Sequence, residues 1–141
     1  MRELRAVVLG QPVAQGRPRF MQRRAVDPVK SREWKERASL EFCLAIQRAR
    51  LRQPAFEGPV ELRIVAVFEC PRSEHRKRTP VPRRPRDTAP DADNVAKAVM
   101  DAGTGILWHD DGQVARLVVD KVVGAQDEEP AVHVTVREVR P

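Results

Sequence analysis

The sequence predicts an α+β domain in which a mixed β-sheet is covered by two main helices. Three observations predict it: apolar residues recur at three- and four-residue steps in two separate stretches, four other stretches alternate or run apolar over strand lengths, and their order is strand, helix, strand, helix, strand, strand. The last two strands are expected to form an antiparallel pair. With 141 residues and 41% apolar composition, the chain suits one modest core and a single domain spanning residues 1–141. There is no internal repeat.

The first strand is read at Leu4 to Leu9, ending where Gly10, Gln11 and Pro12 mark a turn. Val13 to Pro28 fits an irregular loop or a short hairpin, since Pro18 opposes a helix there. From Ser31 to about Leu51, Ala38, Phe42, Ala45, Ile46 and Ala49 recur at helical steps, which predicts the long helix. Trp34 lies in this stretch and, like Phe20, is read as core rather than as a base-stacking residue.

Gly58 and Pro59 open a strand in which Val60, Leu62 and Ile64 alternate with Glu61 and Arg63. The run then turns wholly apolar from Val65 to Phe68, as expected of a strand buried on both faces at one end. A second helix is expected from about Asp93 to Ala102, with Val95, Ala98, Val99 and Ala102 on one face and Gly103 as the stop. Two strands follow, Gln113 to Val123 and Ala131 to Val139, joined by an acidic loop.

Composition narrows function. Cys43 and Cys70 stand far apart with no CxxC spacing, which argues against a zinc site or a disulfide framework. No segment approaches the roughly 20 apolar residues of a membrane span, and Met1 to Gly10 reads as a strand rather than an export signal, so a cytoplasmic protein is expected.

The net charge of +6 is concentrated in two places. Gln15 to Arg37 holds eight basic and three acidic residues, and Pro71 to Pro90 holds seven and two. The second stretch also carries five prolines, and residues 71–90 are expected to be an extended, flexible basic segment. Both stretches suit phosphate, although a basic solvated surface has the same composition.

The chemistry is expected at the entrance of the second helix, where Pro90-Asp91-Ala92-Asp93-Asn94 is followed by Lys97, Asp101 and then Asp110-Asp111. Carboxylates gathered at one place can hold a hard divalent ion against a phosphodiester, and magnesium favours such all-oxygen ligands. The spacing also fits a structural reading: Asp91 as a helix cap, Asp93, Lys97 and Asp101 as an i,i+4 salt-bridge ladder, and Asp110-Asp111-Gly112 as a turn. His109 beside the acids is read as a bystander. A cap and a turn need one aspartate each, so acids are left over.

Three segments, in order, resemble the RusA-type Holliday junction resolvases of bacteria and their prophages: GRPRF at Gly16 to Phe20, PDADNVAKAVMDA at Pro90 to Ala102, and GILWHDDGQV at Gly105 to Val114. The resemblance implies a RusA-like fold and a magnesium-dependent homodimeric endonuclease, with one or two Mg2+ per site and no organic cofactor. Such an enzyme makes paired nicks in branched DNA at a four-way junction during recombination and repair.

Carried onto this sequence, the resemblance makes Asp91, Asp93 and Asp111 the metal-binding and catalytic acids and Lys97 the catalytic lysine. Asn94, Asp101, Asp110 and Gln113 match recurrent positions of less defined role. Ala89 departs from the family, whose members often carry a basic residue before the proline, and this bears on substrate preference. DNA-backbone contacts are expected from Arg17, Arg19, Arg23 and Arg24, and from Arg76, Lys77, Arg78, Arg83, Arg84 and Arg86. The alternatives are a non-catalytic binder of branched or single-stranded DNA, which would bind without cutting in magnesium, and a small interaction protein whose basic loops meet an acidic partner.

Overall fold

A computed structural model of the chain describes residues 2–14, 19–21, 24–26 and 29–141, the two short middle segments in their backbone alone. Among the described residues, seven strands and two α-helices follow one another as β1 (Glu3–Leu9), β2 (Arg19–Met21), β3 (Arg24–Val26), α1 (Val29–Ala49), β4 (Val60–Phe68), β5 (Arg84–Pro85), α2 (Ala92–Gly103), β6 (Val114–Val123) and β7 (Ala131–Glu138). The main sheet has the order β1-β7-β4-β6-β5, and β2 and β3 pair separately as an antiparallel hairpin. The α+β architecture, a mixed sheet with two helices, is as the sequence predicts.

The strand order corrects one expectation. β6 and β7 are not paired neighbours, because β4 lies between them, parallel to β6 and antiparallel to β7. The reason lies in the apolar run of β4: a strand buried along nearly its whole length needs a partner on each side, so it takes the centre of the sheet. The crossover from β4 to the parallel β6 contains α2, which places that helix on the sheet face.

Both helices lie on one face. Strand alternation sends Leu4, Val8, Leu62, Ile64, Val134 and Val136 toward them, where they pack with Trp34, Phe42, Ile46, Val95, Val99 and Trp108 in one core. Trp34 is therefore core, as read from sequence, at 1% exposure. Ser39 on α1 donates to the carbonyl of Ala102 at 2.9 Å, which satisfies one of the terminal carbonyls of α2 and ties the helices together.

Gly103 ends α2 for a packing reason. A Cβ there would meet Leu107 Cδ1 and Trp108 Cζ2 at 3.1 Å each, so the absent side chain lets the 104–108 turn fold back on the helix. The backbone N–H of Thr104 closes the helix on Met100, and the indole N–H of Trp108 donates to the Thr104 hydroxyl at 3.2 Å.

The Pro/Arg-rich stretch runs extended along the sheet margin. Arg84–Pro85 pairs with Val122 and Val123 of β6, and Gln126 receives hydrogen bonds from the backbone N–H groups of Arg76 and Val81. No helix among the described residues is long and apolar enough to cross a membrane.

Candidate functional site

Asp91 occupies the N-cap of α2 with extended backbone, yet its side chain makes no capping hydrogen bond. An aspartate at this position normally accepts from the second or third helical amide. Both carboxylate oxygens of Asp91 are thus uncommitted among the described residues. Asp93, in the first turn, and Lys97, one turn further, are exposed and likewise form no ion pair among the described residues. The salt-bridge ladder allowed by the spacing is absent; Asp101 instead faces Lys35 on α1 at 3.9 Å.

At the other end of α2, two adjacent aspartates divide their roles. Asp110 caps a 3-10 turn at Asp111–Gln113 by accepting from the Gly112 N–H at 2.9 Å. That hydrogen bond, followed by one with Asp111, lowers the pKa of Asp110 below the usual carboxylate range. Asp111 takes no part in the capping. Its hydrogen bond with Asp110, then burial, then the charges of Asp110 and Asp101 raise its pKa. Asp111 and Asp101 line an open cavity of about 730 Å³ with Arg32, Lys35, Ser39 and Thr104.

Gln113 holds this turn in place. Its carbonyl oxygen accepts from the N–H groups of His109 at 2.7 Å and Asp110 at 3.1 Å, and its amide donates to the carbonyls of Phe56 at 3.1 Å and Gly58 at 3.0 Å. Four hydrogen bonds from one side chain thus fix Asp111 relative to the start of the sheet. His109 pairs with Glu57 at 3.2 Å.

At the opposite end, Lys121 of β6 donates to the carbonyls of Thr88 at 2.8 Å and Pro90 at 2.6 Å, which pins the chain directly before Asp91. Sequence reasoning missed both anchors as such. Gln113 stood out only as a family-like position, and Lys121 is one cation in a β-run whose partners lie some thirty residues earlier.

The four acids of the site therefore sit in two groups. Asp91 and Asp93 open α2, whereas Asp111 lies beside Asp101 near its close. Eight residues separate Asp93 from Asp101, which at helical rise is about 12 Å along the axis. Among the described residues, no group of three or more His, Cys, Asp or Glu lies close enough to hold a metal ion.

The basic residues also divide. Arg83 forms a bidentate ion pair with Glu128, Arg84 pairs with Glu74 at 3.0 Å, and Arg86 donates to the Ala89 carbonyl and lies over the Phe68 ring at 4.1 Å. Arg83 holds the pKa of Glu128 at about 2. The side chains of Arg76, Lys77 and Arg78 are exposed and form no ion pair among the described residues. Arg17 and Arg23 lie outside the described residues, and Arg19 and Arg24 fall in β2 and β3, described only in backbone.

A protein-family model described as endodeoxyribonuclease RusA matches residues 10–137. The uncharacterized protein YqaN of Bacillus subtilis (strain 168) is 32% identical over 145 aligned residues, covering 96% of this chain and 96% of that protein.

Proposed function

The chain belongs to the RusA family of endodeoxyribonucleases, and from that premise we propose that it is a magnesium-dependent, structure-specific nuclease that resolves Holliday junctions by paired nicking. It would act in the cytoplasm, in recombination and repair, as a homodimer. The observation that carries this reading is the division among the aspartates: Asp91 stands at a helix N-cap without capping, Asp93 is without an ion pair among the described residues, and Asp110 alone caps its turn, so Asp111 is left without a capping role.

Exposed carboxylates, two of them uncommitted and the third tied only to its neighbouring turn, suit a hard cation in kind and charge. Asp91, Asp93 and Asp111 would hold one or two magnesium ions, which when bound supply a Lewis acid that offsets phosphoryl charge and activates water. One copy of the chain keeps these acids in two groups, Asp91 and Asp93 at the start of α2 and Asp111 beside Asp101 near its end, about 12 Å further along the helix axis. The homodimer would bring the two groups together, Asp91 and Asp93 of each copy being completed by Asp111 of the other.

Lys97, one helical turn from Asp93, would place its ammonium against the non-bridging oxygens of the scissile phosphate, where negative charge builds. The exposed Arg76, Lys77 and Arg78, with Arg17, Arg19, Arg23 and Arg24, would contact the DNA backbone and set register without reading sequence. Arg83, Arg84 and Arg86 would join them only by exchanging their present partners for phosphate. Two-fold symmetry in the protein would match that of a four-way junction and present one site to each of two opposed strands.

The test compares wild type with Asp93→Asn on a synthetic four-way junction, in magnesium and in calcium. Cutting by wild type in magnesium is expected to fall more than about 100-fold in the variant, beyond the usual loss of an outer-shell partner. Junction binding should persist. Cutting retained by the variant removes Asp93 from the chemistry; wild-type binding without cutting would instead indicate the non-catalytic DNA binder.

A further inference from the structure

We propose that the open edge of β1 and the neighbouring face of α1 form a docking groove for an extended acidic peptide of a partner protein, which adds to the sheet as a sixth strand. The groove lies at the opposite sheet margin from β6 and β5, so it is separate from the acids and the basic stretch described above. It has a volume of about 540 Å³, with Arg5 to Leu9 along one wall and Arg37, Leu40, Glu41, Ala45 and Arg48 along the other.

The backbone supplies the first argument. β1 pairs with β7 on one side, and among the described residues no strand pairs with its other side. The Gly10 N–H donates to the Pro130 carbonyl on the β7 side, so by alternation Val8, Ala6 and Leu4 turn that way and Leu9, Val7 and Arg5 turn outward. Arg37 donates to the Leu9 carbonyl from outside at 3.2 Å, which agrees with that assignment and occupies one outward group. The N–H and carbonyl groups of Arg5 and Val7 and the N–H of Leu9 remain as a ladder for an incoming strand.

Side chains supply the second. Arg37, Glu41, Ala45 and Arg48 recur at steps of four, four and three, so α1 presents one continuous face to the groove. A strand laid along β1 would send alternate side chains under that face, toward Leu40 and Ala45, and the others toward the open side of the sheet, beside Val7 and Leu9. Val7 is 40% exposed, and Leu9 and Leu40 are 59% exposed each, which is unusual for large apolar side chains gathered around one groove.

Charge selects the partner. The walls carry three arginines against one glutamate; Arg5 is paired with Glu3 at 3.1 Å, which leaves Arg37 and Arg48, and Arg48 is exposed with no ion pair among the described residues. An anionic occupant is therefore favoured over a basic one. A nucleic-acid strand would use the arginines, but it would gain nothing from the backbone ladder or from Val7, Leu9 and Leu40. A peptide in which acidic and apolar residues alternate uses all of them.

The test titrates the full chain, labelled with nitrogen-15, with three eight-residue peptides: one alternating aspartate and leucine, one alternating lysine and leucine, and one of aspartate and serine. Only the first should bind saturably, with amide shifts confined to residues 5–9 and 37–48 and with slowed hydrogen exchange at Arg5, Val7 and Leu9. Val7→Pro removes an outward N–H without touching the β7 ladder, a substitution that edge strands tolerate, and should weaken binding by roughly 2- to 10-fold. Arg48→Glu should weaken it by about 10-fold. Both variants should cut a four-way junction like wild type.

Should Val7→Pro fail to fold, Arg48→Glu and the exposed Leu40→Glu carry the test alone. No shift at β1 with any peptide at millimolar concentration would overturn the proposal. Shifts at these residues caused by a DNA oligonucleotide and by no peptide would assign the groove to nucleic acid and overturn it equally. The same shifts produced by raising protein concentration alone would make the occupant a second copy of the chain, again against the proposal.

Discussion

Asp110 and Asp111 are neighbours of identical chemistry that the structure puts to different work. Asp110 spends its carboxylate on the Gly112 N–H, and Asp111 sits against Asp110 and Asp101 with its pKa raised. Asp110→Ala should therefore lower the melting temperature, whereas Asp111→Asn should hold or raise it, because it relieves like-charge repulsion; thermal denaturation without metal separates the two. Glu128 supplies the pH dependence at this scale. Arg83 holds its folded-state pKa at about 2, below the ordinary 4.5. A depressed carboxylate pKa means that the stabilisation is complete above pH 4.5 and is lost as pH falls through 2. Glu128→Gln should flatten the stability profile between those values, as followed by denaturant titration at a series of pH values. Arg83 is exposed while Glu128 is half-buried, so salt should weaken the effect only in part.

At the scale of elements, periodicity was a sound guide wherever neighbours in sequence decide the outcome. The alternation of Val60, Leu62 and Ile64 and the helical steps of Phe42, Ala45 and Ile46 mark strand and helix because each element needs one apolar face. Strand order was less legible. The β6–β7 connection reads equally well as a hairpin, and only the demand of β4 for partners on both sides separates the two strands. The same holds for the 3-10 turn, whose four anchoring hydrogen bonds come from the single side chain of Gln113. Gln113→Ala should free the turn from the 56–58 loop, lowering cutting while far-ultraviolet circular dichroism stays unchanged. Junction binding through the basic residues should be retained.

At the scale of the whole molecule, the distance between the acids and the distribution of charge set the behaviour. If two copies complete each site, Asp93→Asn and Asp111→Asn should each abolish cutting alone. Mixed and allowed to exchange subunits, they should regain about a quarter of the wild-type sites, since half the dimers then carry one intact site of two. The product should be a single nick rather than a paired cut, resolved on a denaturing gel. Charge governs the response to salt. The exposed Arg76, Lys77 and Arg78 are described cations of the basic stretch available to phosphate. Replacing all three with alanine should reduce the slope of log binding constant against log salt by roughly 0.9 for each phosphate no longer neutralised. Arg83→Ala should change that slope less, because Glu128 already neutralises it. Fluorescence anisotropy on a labelled junction across a salt series checks both.

By itself the sequence determined the α+β class and the places of both helices and the main strands. These follow from the spacing of side chains along a short length of chain, which any reader of periodicity can recover. Tertiary structure alone decided that β4 divides β6 from β7, that Asp110 caps while Asp111 does not, and that α2 holds the acids at its two ends. Each of those outcomes depends on contacts between residues tens of positions apart, and on which partner satisfies a given hydrogen-bonding group first. No local pattern in the chain encodes that competition.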